Sequence, residues 1–157
     1  MQVKSGGHAS NPGFSSTVGV LVAMHRFVGV KYDSVSQTAI IGTGMIWDDV
    51  YQALEPHNVS VLGARASGVG VGGFLLGGGA SHFSCILITR LTVIIGYSYK
   101  TNQYGLAIDT ITAFELVQPN GKIIAVTEES HPDLFFGLKG GFNNFVHFFQ
   151  FLEPNFY

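Results

Sequence analysis

Charge is what this sequence has least of. Asp, Glu, Lys and Arg make up 11% of its 157 residues, against roughly 25% in an average globular chain. A surface so poor in charge implies that part of it normally lies against something else. Eight basic residues against ten acidic ones give a net charge of -2. That leaves no basic field of the kind that releases counterions from nucleic acid, so nucleic acid is not an expected partner. Cysteine is nearly absent: Cys85 stands alone, which excludes an internal disulfide and a cysteine-rich metal site. Long apolar runs are missing too. The longest, Phe83 to Tyr99, is broken by Arg90 and falls short of the roughly 20 residues needed to cross a bilayer, so no membrane partner is expected. The opening Met1-Gln2-Val3-Lys4 lacks the basic and apolar segments of a secretory signal. The expectation is an intracellular protein or one whose true beginning lies upstream, and the compartment stays open.

Glycine, by contrast, is abundant, with 21 residues. The length suits one domain with a real core. Residues 1–17 read as loop, Val18 to Met24 as a buried strand and Gln37 to Ile41 as another. Trp47, Val50, Tyr51 and Leu54 fall at i, i+3, i+4 and i+7, with Asp48 and Asp49 in the first turn and Pro56 behind, which predicts an amphipathic helix. Val59 to Leu62 reads as a short strand. Ile108 to Val117 alternates like a half-buried strand, Pro119-Asn120-Gly121 turns, and Lys122 to Val126 returns as its hairpin partner. Asp133 to Lys139 is a helix candidate. With no regular βα rhythm and an antiparallel pair at the end, the fold class expected is α+β, mixed sheets with flanking helices.

Eight glycines lie between positions 63 and 79, a density that carries a large entropic cost unless exposed backbone is needed. Successive exposed N–H groups make an anion-binding concavity suited to nucleotide phosphates. Gly68, Gly70 and Gly73 satisfy G-x-G-x-x-G, yet Gly77-Gly78-Gly79 would stop the required helix after barely one turn. No acidic residue lies between Glu55 and Asp109. The dinucleotide fingerprint therefore fails, and without Gly-Lys-Ser or Gly-Lys-Thr so does a P-loop. A flexible linker is polar, whereas Val69, Val71, Phe74, Leu75 and Leu76 interleave these glycines, so a cradle for nucleotide backbone is favoured. The second feature is Lys4-Ser5-Gly6-Gly7-His8. His8 is either a turn residue or a nucleophile presented on a tight loop, and spacing alone leaves both open. His25, His57, His82, His131 and His147 are scattered without metal-ligand spacing, and no hydrolase triad announces itself.

Taken together, KSGGH (4–8), VGVLVAM (18–24), IIGTGMIWDDVYQAL (40–54), GVGVGGFLLGGG (68–79), TNQYGLAIDTITAFELVQPNG (101–121) and SHPDLFFGLKGG (130–141) resemble the FAD-binding PCMH-type domain of the vanillyl-alcohol oxidase superfamily. The likeness is to fungal FAD-linked oxidases related to berberine bridge enzyme and 6-hydroxynicotine oxidase. It covers residues 3–79 and 97–145. The resemblance implies FAD as cofactor and an unknown small organic substrate as partner, with the flavin accepting a hydride from an organic C–H donor and usually being reoxidised by O2. It also implies that Ser5, Gly6, Gly7, Ala9 and Ser10 wrap the flavin diphosphate. In such oxidases the histidine of this loop is commonly bonded to the flavin 8α-methyl, which makes His8 the attachment point. Gly68, Gly70, Gly72, Gly73 and Gly77 would form a second wall, and the Asp109 to Ile111 strand would lie near the adenine side. Bicovalent members carry a cysteine where this chain has Ala66, so at most one link is implied.

Three departures from the family pattern stand out. Residues 80–96 (ASHFSCILITRLTVIIG) intervene between the triple glycine and the next matching segment, apolar and unlike their surroundings, and have the look of a translated intron. Residues 146–157 read as a divergent tail. Nothing among these residues resembles the family's substrate-binding domain. The domain organisation expected is therefore a partial FAD-binding domain over 1–145, interrupted at 80–96. No catalytic acid or base is assigned. The alternative function is a truncated, non-catalytic FAD-binding remnant, and a generic nucleotide-binding module stands third. Asn58-Val59-Ser60 is a formal glycosylation sequon.

Overall fold

The structure is a computed structural model and describes residues 2–9, 12–77 and 100–141, together with the backbone course of 147–154. In chain order its elements are strands β1 (Gln2–Lys4), β2 (Leu21–Ala23), β3 (Val30–Asp33) and β4 (Thr38–Gly42), then helices α1 (Trp47–Leu54), α2 (Val71–Leu76) and α3 (Thr101–Tyr104). Strands β5 (Ala113–Val117) and β6 (Ile123–Thr127), helix α4 (Pro132–Leu138) and strand β7 (His147–Pro154) complete the set. Short 3-10 turns occupy Glu55–His57 and Ala107–Thr110.

The strands form two sheets. β1 and β2 pair in parallel, while β3-β4-β7-β5-β6 form a five-stranded antiparallel sheet. The expected α+β class with mixed sheets and flanking helices is what the chain adopts. β7 lies in the middle of the larger sheet, matching Ile41 to Phe151 on one side and Phe114 to Phe151 on the other. The sequence offered only a divergent tail for this stretch. The inserted segment 80–96 lies outside the described residues.

Helix α1 follows its pattern: Trp47, Val50 and Leu54 are fully buried and Tyr51 half-buried. It continues into the 3-10 turn that contains Pro56 and stops at Asn58, whose φ of 56° is left-handed. The core gathers Trp47 and Phe74, edge-to-face at 5.4 Å, with Ile41, Leu62, Leu75, Ile108, Phe114 and Leu138. Gly63 is fixed by this packing, because a Cβ there would enter the Trp47 ring. The expected hairpin forms between β5 and β6, with Val117 opposite Ile123, and is closed by Gly121 at φ 82°.

Four sequence expectations are corrected. Residues 2–4 are not loop, since the parallel partner supplies hydrogen bonds: the Gln2 N–H donates to Val20 O at 2.9 Å and the Met24 N–H to Lys4 O at 2.8 Å. The strand expected over 18–24 shrinks to Leu21–Ala23, and Val18, Val20 and Leu21 are exposed rather than buried. Val59 to Leu62 is buried but forms no named strand. Its apolar character serves packing, and Tyr51 Oη donating to Ala64 O at 2.9 Å ties this connection to α1. Asp109 and Ile111 lie in no strand, because residues 107–110 coil into the 3-10 turn and β5 begins at Ala113.

Candidate functional site

The two glycine-dense stretches meet. An added Cβ on Gly6 would stand 2.6 Å from Gly70 Cα, and one on Gly70 would stand 2.6 Å from Gly6 Cα. Backbone lies on backbone, which only glycine permits on both sides. Next along, Gly72 faces Ser5, with a notional Cβ at 3.1 Å from Ser5 Cβ and 3.3 Å from Thr43 O. His8 lies beside Gly68, its Cδ2 3.9 Å from where a Cβ would stand.

Ser5 joins the two stretches. Its hydroxyl donates to Thr43 O at 2.5 Å and accepts from the Gly72 N–H at 3.2 Å. With its only proton given to Thr43, Ser5 positions the loop and has none left to donate to a phosphate. Thr43 itself is buried between Gly42 and Gly44. These two glycines admit the chain that follows β2: a Cβ on Gly42 would strike Phe27 O and one on Gly44 would strike Met24 O. The Gly44 N–H donates to Phe27 O at 2.8 Å and the Gly42 N–H to Gly29 O at 3.0 Å.

The amides divide unevenly. Gly68 donates to Asp48 Oδ2 at 2.8 Å. Val71 donates to Met45 O at 2.9 Å, and Trp47 donates to Val69 O at 3.0 Å. With the Gly72 bond, two of the glycine N–H groups that the sequence suggested would face an anion, those of Gly68 and Gly72, are spent within the chain. Asp48 is held well into its ionised range, first by the Gly68 N–H and then by Ser67. By contrast, residues 6–9 are exposed, and among the described residues the amides of Gly6, Gly7 and His8 have no intramolecular acceptor. Gly7 sits at φ 72°, a left-handed step that lets consecutive N–H groups converge as in an anion-binding nest. This is the chemistry a diphosphate needs, and the residues present fit it.

The remaining predicted residues are placed as follows. Ala9 is exposed beside His8, and Ser10 is outside the described residues. Gly73 is exposed in the first turn of α2, while Gly77 is buried as its C-cap. Ala66 packs against the core. Asp109 spends its carboxylate locally, accepting from the Leu106 N–H at 2.9 Å, and Ile111 is buried in the core. Their turn touches α2, but neither side chain joins the junction around Gly6 and Gly70. Sequence reasoning missed Thr43 and Asp48. Thr43 was signalled by the Gly-x-Gly spacing after a strand, and Asp48 carried no signal beyond its place in a helix first turn. A depression lined by Tyr51, Gln52, Glu55, Asn58, Val59, Ser60 and Lys100 shares no residue with the junction. Among the described residues no cluster of His, Cys, Asp and Glu could hold a metal, and no helix is long and apolar enough to cross a membrane.

Comparison with known proteins bears on the family and the fold. Residues 1–95 match the family described as FAD binding domain. The chain is 48% identical over 145 residues to the FAD-dependent monooxygenase yanF of Aspergillus niger, covering 91% of this chain and 22% of that protein. It superposes on 6-hydroxy-D-nicotine oxidase from Arthrobacter nicotinovorans with a TM-score of 0.81 at 25% identity, over 99% of this chain and 30% of that one. It also superposes on the glucooligosaccharide oxidase of Acremonium strictum, a protein described with a 6-S-cysteinyl, 8α-N1-histidyl FAD. There the TM-score is 0.77 at 26% identity, over 99% of this chain and 30% of the other. The chain thus spans about a quarter of the length of the relatives it matches.

Proposed function

The chain belongs to the FAD binding domain family, and from that premise we propose that it is the diphosphate-holding part of an FAD-dependent oxidoreductase. The observation that carries this reading is the exposed run of acceptor-free amides at Gly6, Gly7 and His8, seated on Gly70. Bound FAD supplies the acceptor for a hydride from an organic C–H donor, O2 usually restoring it.

The chain's own residues divide the remaining work. Gly6, Gly7 and His8 present N–H groups to the diphosphate. Ser5, through Thr43 and Gly72, fixes the loop's height above α2. Asp48 retains the Gly68 N–H and so confines the anion to the first loop. His8, exposed beside Gly68, is the proposed point of attachment to the flavin 8α-carbon, a reading supported by the histidyl flavin of the Acremonium oxidase. Ala66 offers no thiol for a second link.

The test is an absorbance spectrum of the purified chain before and after acid precipitation. Flavin colour that stays with the precipitate, and leaves it in His8→Ala, is the expected result. A chain that refolds fully with FAD and stays colourless would overturn the reading. The yanF relative favours a second version of the chemistry, in which an oxygen atom enters the product. Labelled O2 separates the two in the whole protein: label in the organic product marks a monooxygenase, and label in peroxide alone marks an oxidase.

A further inference from the structure

Lys4 precedes the loop, and its side chain is folded across it. A Cβ built on Gly7 would strike Lys4 Cε, with Nζ 3.1 Å and Cδ 3.6 Å away. The stem therefore lies along the face of the left-handed glycine, and the ammonium is delivered to the same short run whose amides lack acceptors. Lys4 is half-buried. Its backbone is fixed from both sides of the strand ladder: it pairs with Ala23, and its carbonyl accepts the Met24 N–H. The base of the side chain is thus held by β1 rather than by the loop.

No carboxylate pairs with Lys4 among the described residues. Lysine commonly lays its stem along neighbouring surface and keeps its strongly hydrated ammonium outside. Here the stem is buried against backbone while the charge is left facing the loop. A cation, the acceptor-free N–H groups of Gly6, Gly7 and His8 and no intramolecular anion make a set that lacks only a multiply charged oxyanion.

We infer that Lys4 is the cationic member of the diphosphate site, its ammonium taking a non-bridging phosphate oxygen while its stem covers Gly7. The inference rests on the functional reading above. It also gives a reason for glycine at position 7 beyond its φ: any side chain there would displace the lysine.

Titration of the 157-residue chain with FAD, ADP and riboflavin, read by fluorescence and calorimetry, tests it. Lys4→Met is expected to weaken FAD and ADP about tenfold or more, the scale of one charge-assisted hydrogen bond, and to leave riboflavin, which has no phosphate, unchanged. Lys4→Arg is expected to restore most of the loss. The salt dependence of FAD binding should also be shallower in Lys4→Met. Equal FAD affinity in wild type and Lys4→Met, with unchanged far-ultraviolet circular dichroism, overturns the inference alone. Equal weakening of riboflavin and FAD also overturns it, by showing a packing role. If Lys4→Met does not fold, Lys4→Gln with the same three ligands decides by the same outcomes. A wild-type chain that binds neither FAD nor ADP overturns the functional reading and this inference with it.

Discussion

From Gly6 to His8 three amides have no acceptor among the described residues, whereas at Gly68, Val71 and Gly72 the N–H groups are taken by Asp48, Met45 and Ser5. Both stretches use glycine in two ways. Gly7 and Gly68 supply left-handed φ values of 72° and 79°, while Gly6 and Gly70 lack the Cβ that would hold the two backbones apart. A glycine count in a sequence merges these two uses, and only contacts separate them.

The difference can be broken most severely at the crossing point. Gly70→Ala places a methyl 2.6 Å from Gly6 Cα, where neither backbone has a rotamer by which to yield. It is expected to cost about 3 kcal/mol, the upper end for overpacking, read by urea denaturation, and to abolish FAD binding. Ser5→Ala comes next. It removes a donor from Thr43 O and the acceptor of the Gly72 N–H in a part-buried place, at about 1–2 kcal/mol. FAD affinity should fall with it, although Ser5 itself makes no phosphate contact in this reading.

A smaller effect tests the seat's electrostatics. The Asp48 carboxyl lies below its ordinary value because the Gly68 N–H, and then Ser67, favour the ionised form. A lowered folded-state value means stability that is whole above roughly pH 3.9, the ordinary Asp value, and is lost as pH falls through the lower folded one. Asp48→Ala should therefore be less stable than wild type by about 1 kcal/mol or less at pH 7, given its exposure. The two stability curves should converge only below about pH 4. Smallest, and opposite in sign, is Gly73→Ala. Nothing lies within 4 Å of the new methyl, and the residue is in α2, so chain entropy favours alanine by about 0.5–1 kcal/mol. A gain there beside a loss at Gly70 would show that the second stretch is a seat with one critical point, not a uniform wall.

Much of this was legible in the sequence where periodicity carried it. Trp47, Val50, Tyr51 and Leu54 announced α1, and Asn120-Gly121 announced the hairpin. The convergence of the His8 loop with the stretch around Gly70 was implied by the family resemblance and is visible as contact. What the sequence hid was bookkeeping of individual bonds. Nothing in Ser5 reveals that its proton goes to Thr43, a residue 38 positions away. Nothing in Asp48 reveals that it reaches Gly68. Alternation over Ile108 to Val117 suggested one long strand, because a 3-10 turn that buries Ala107 and Ile108 produces the same local pattern as a half-buried strand. Val18 and Val20 were taken for core because β-branched apolar residues usually are, yet they lie exposed in the bend that leads into β2.

The placement of β7 shapes how the larger sheet must assemble. Until residues 147–154 arrive, β3 with β4 and β5 with β6 are two separate ribbons that share no hydrogen-bonded edge. Joining them couples Phe114 with Phe151, and Ile41 with the same residue, the second a closure across most of the polypeptide that is slow by its topology. On a ribosome the ribbons would wait with open flanks while the wedge between them was still being made. That interval is when a chaperone, or another copy of the same ribbon, would find the edges unguarded.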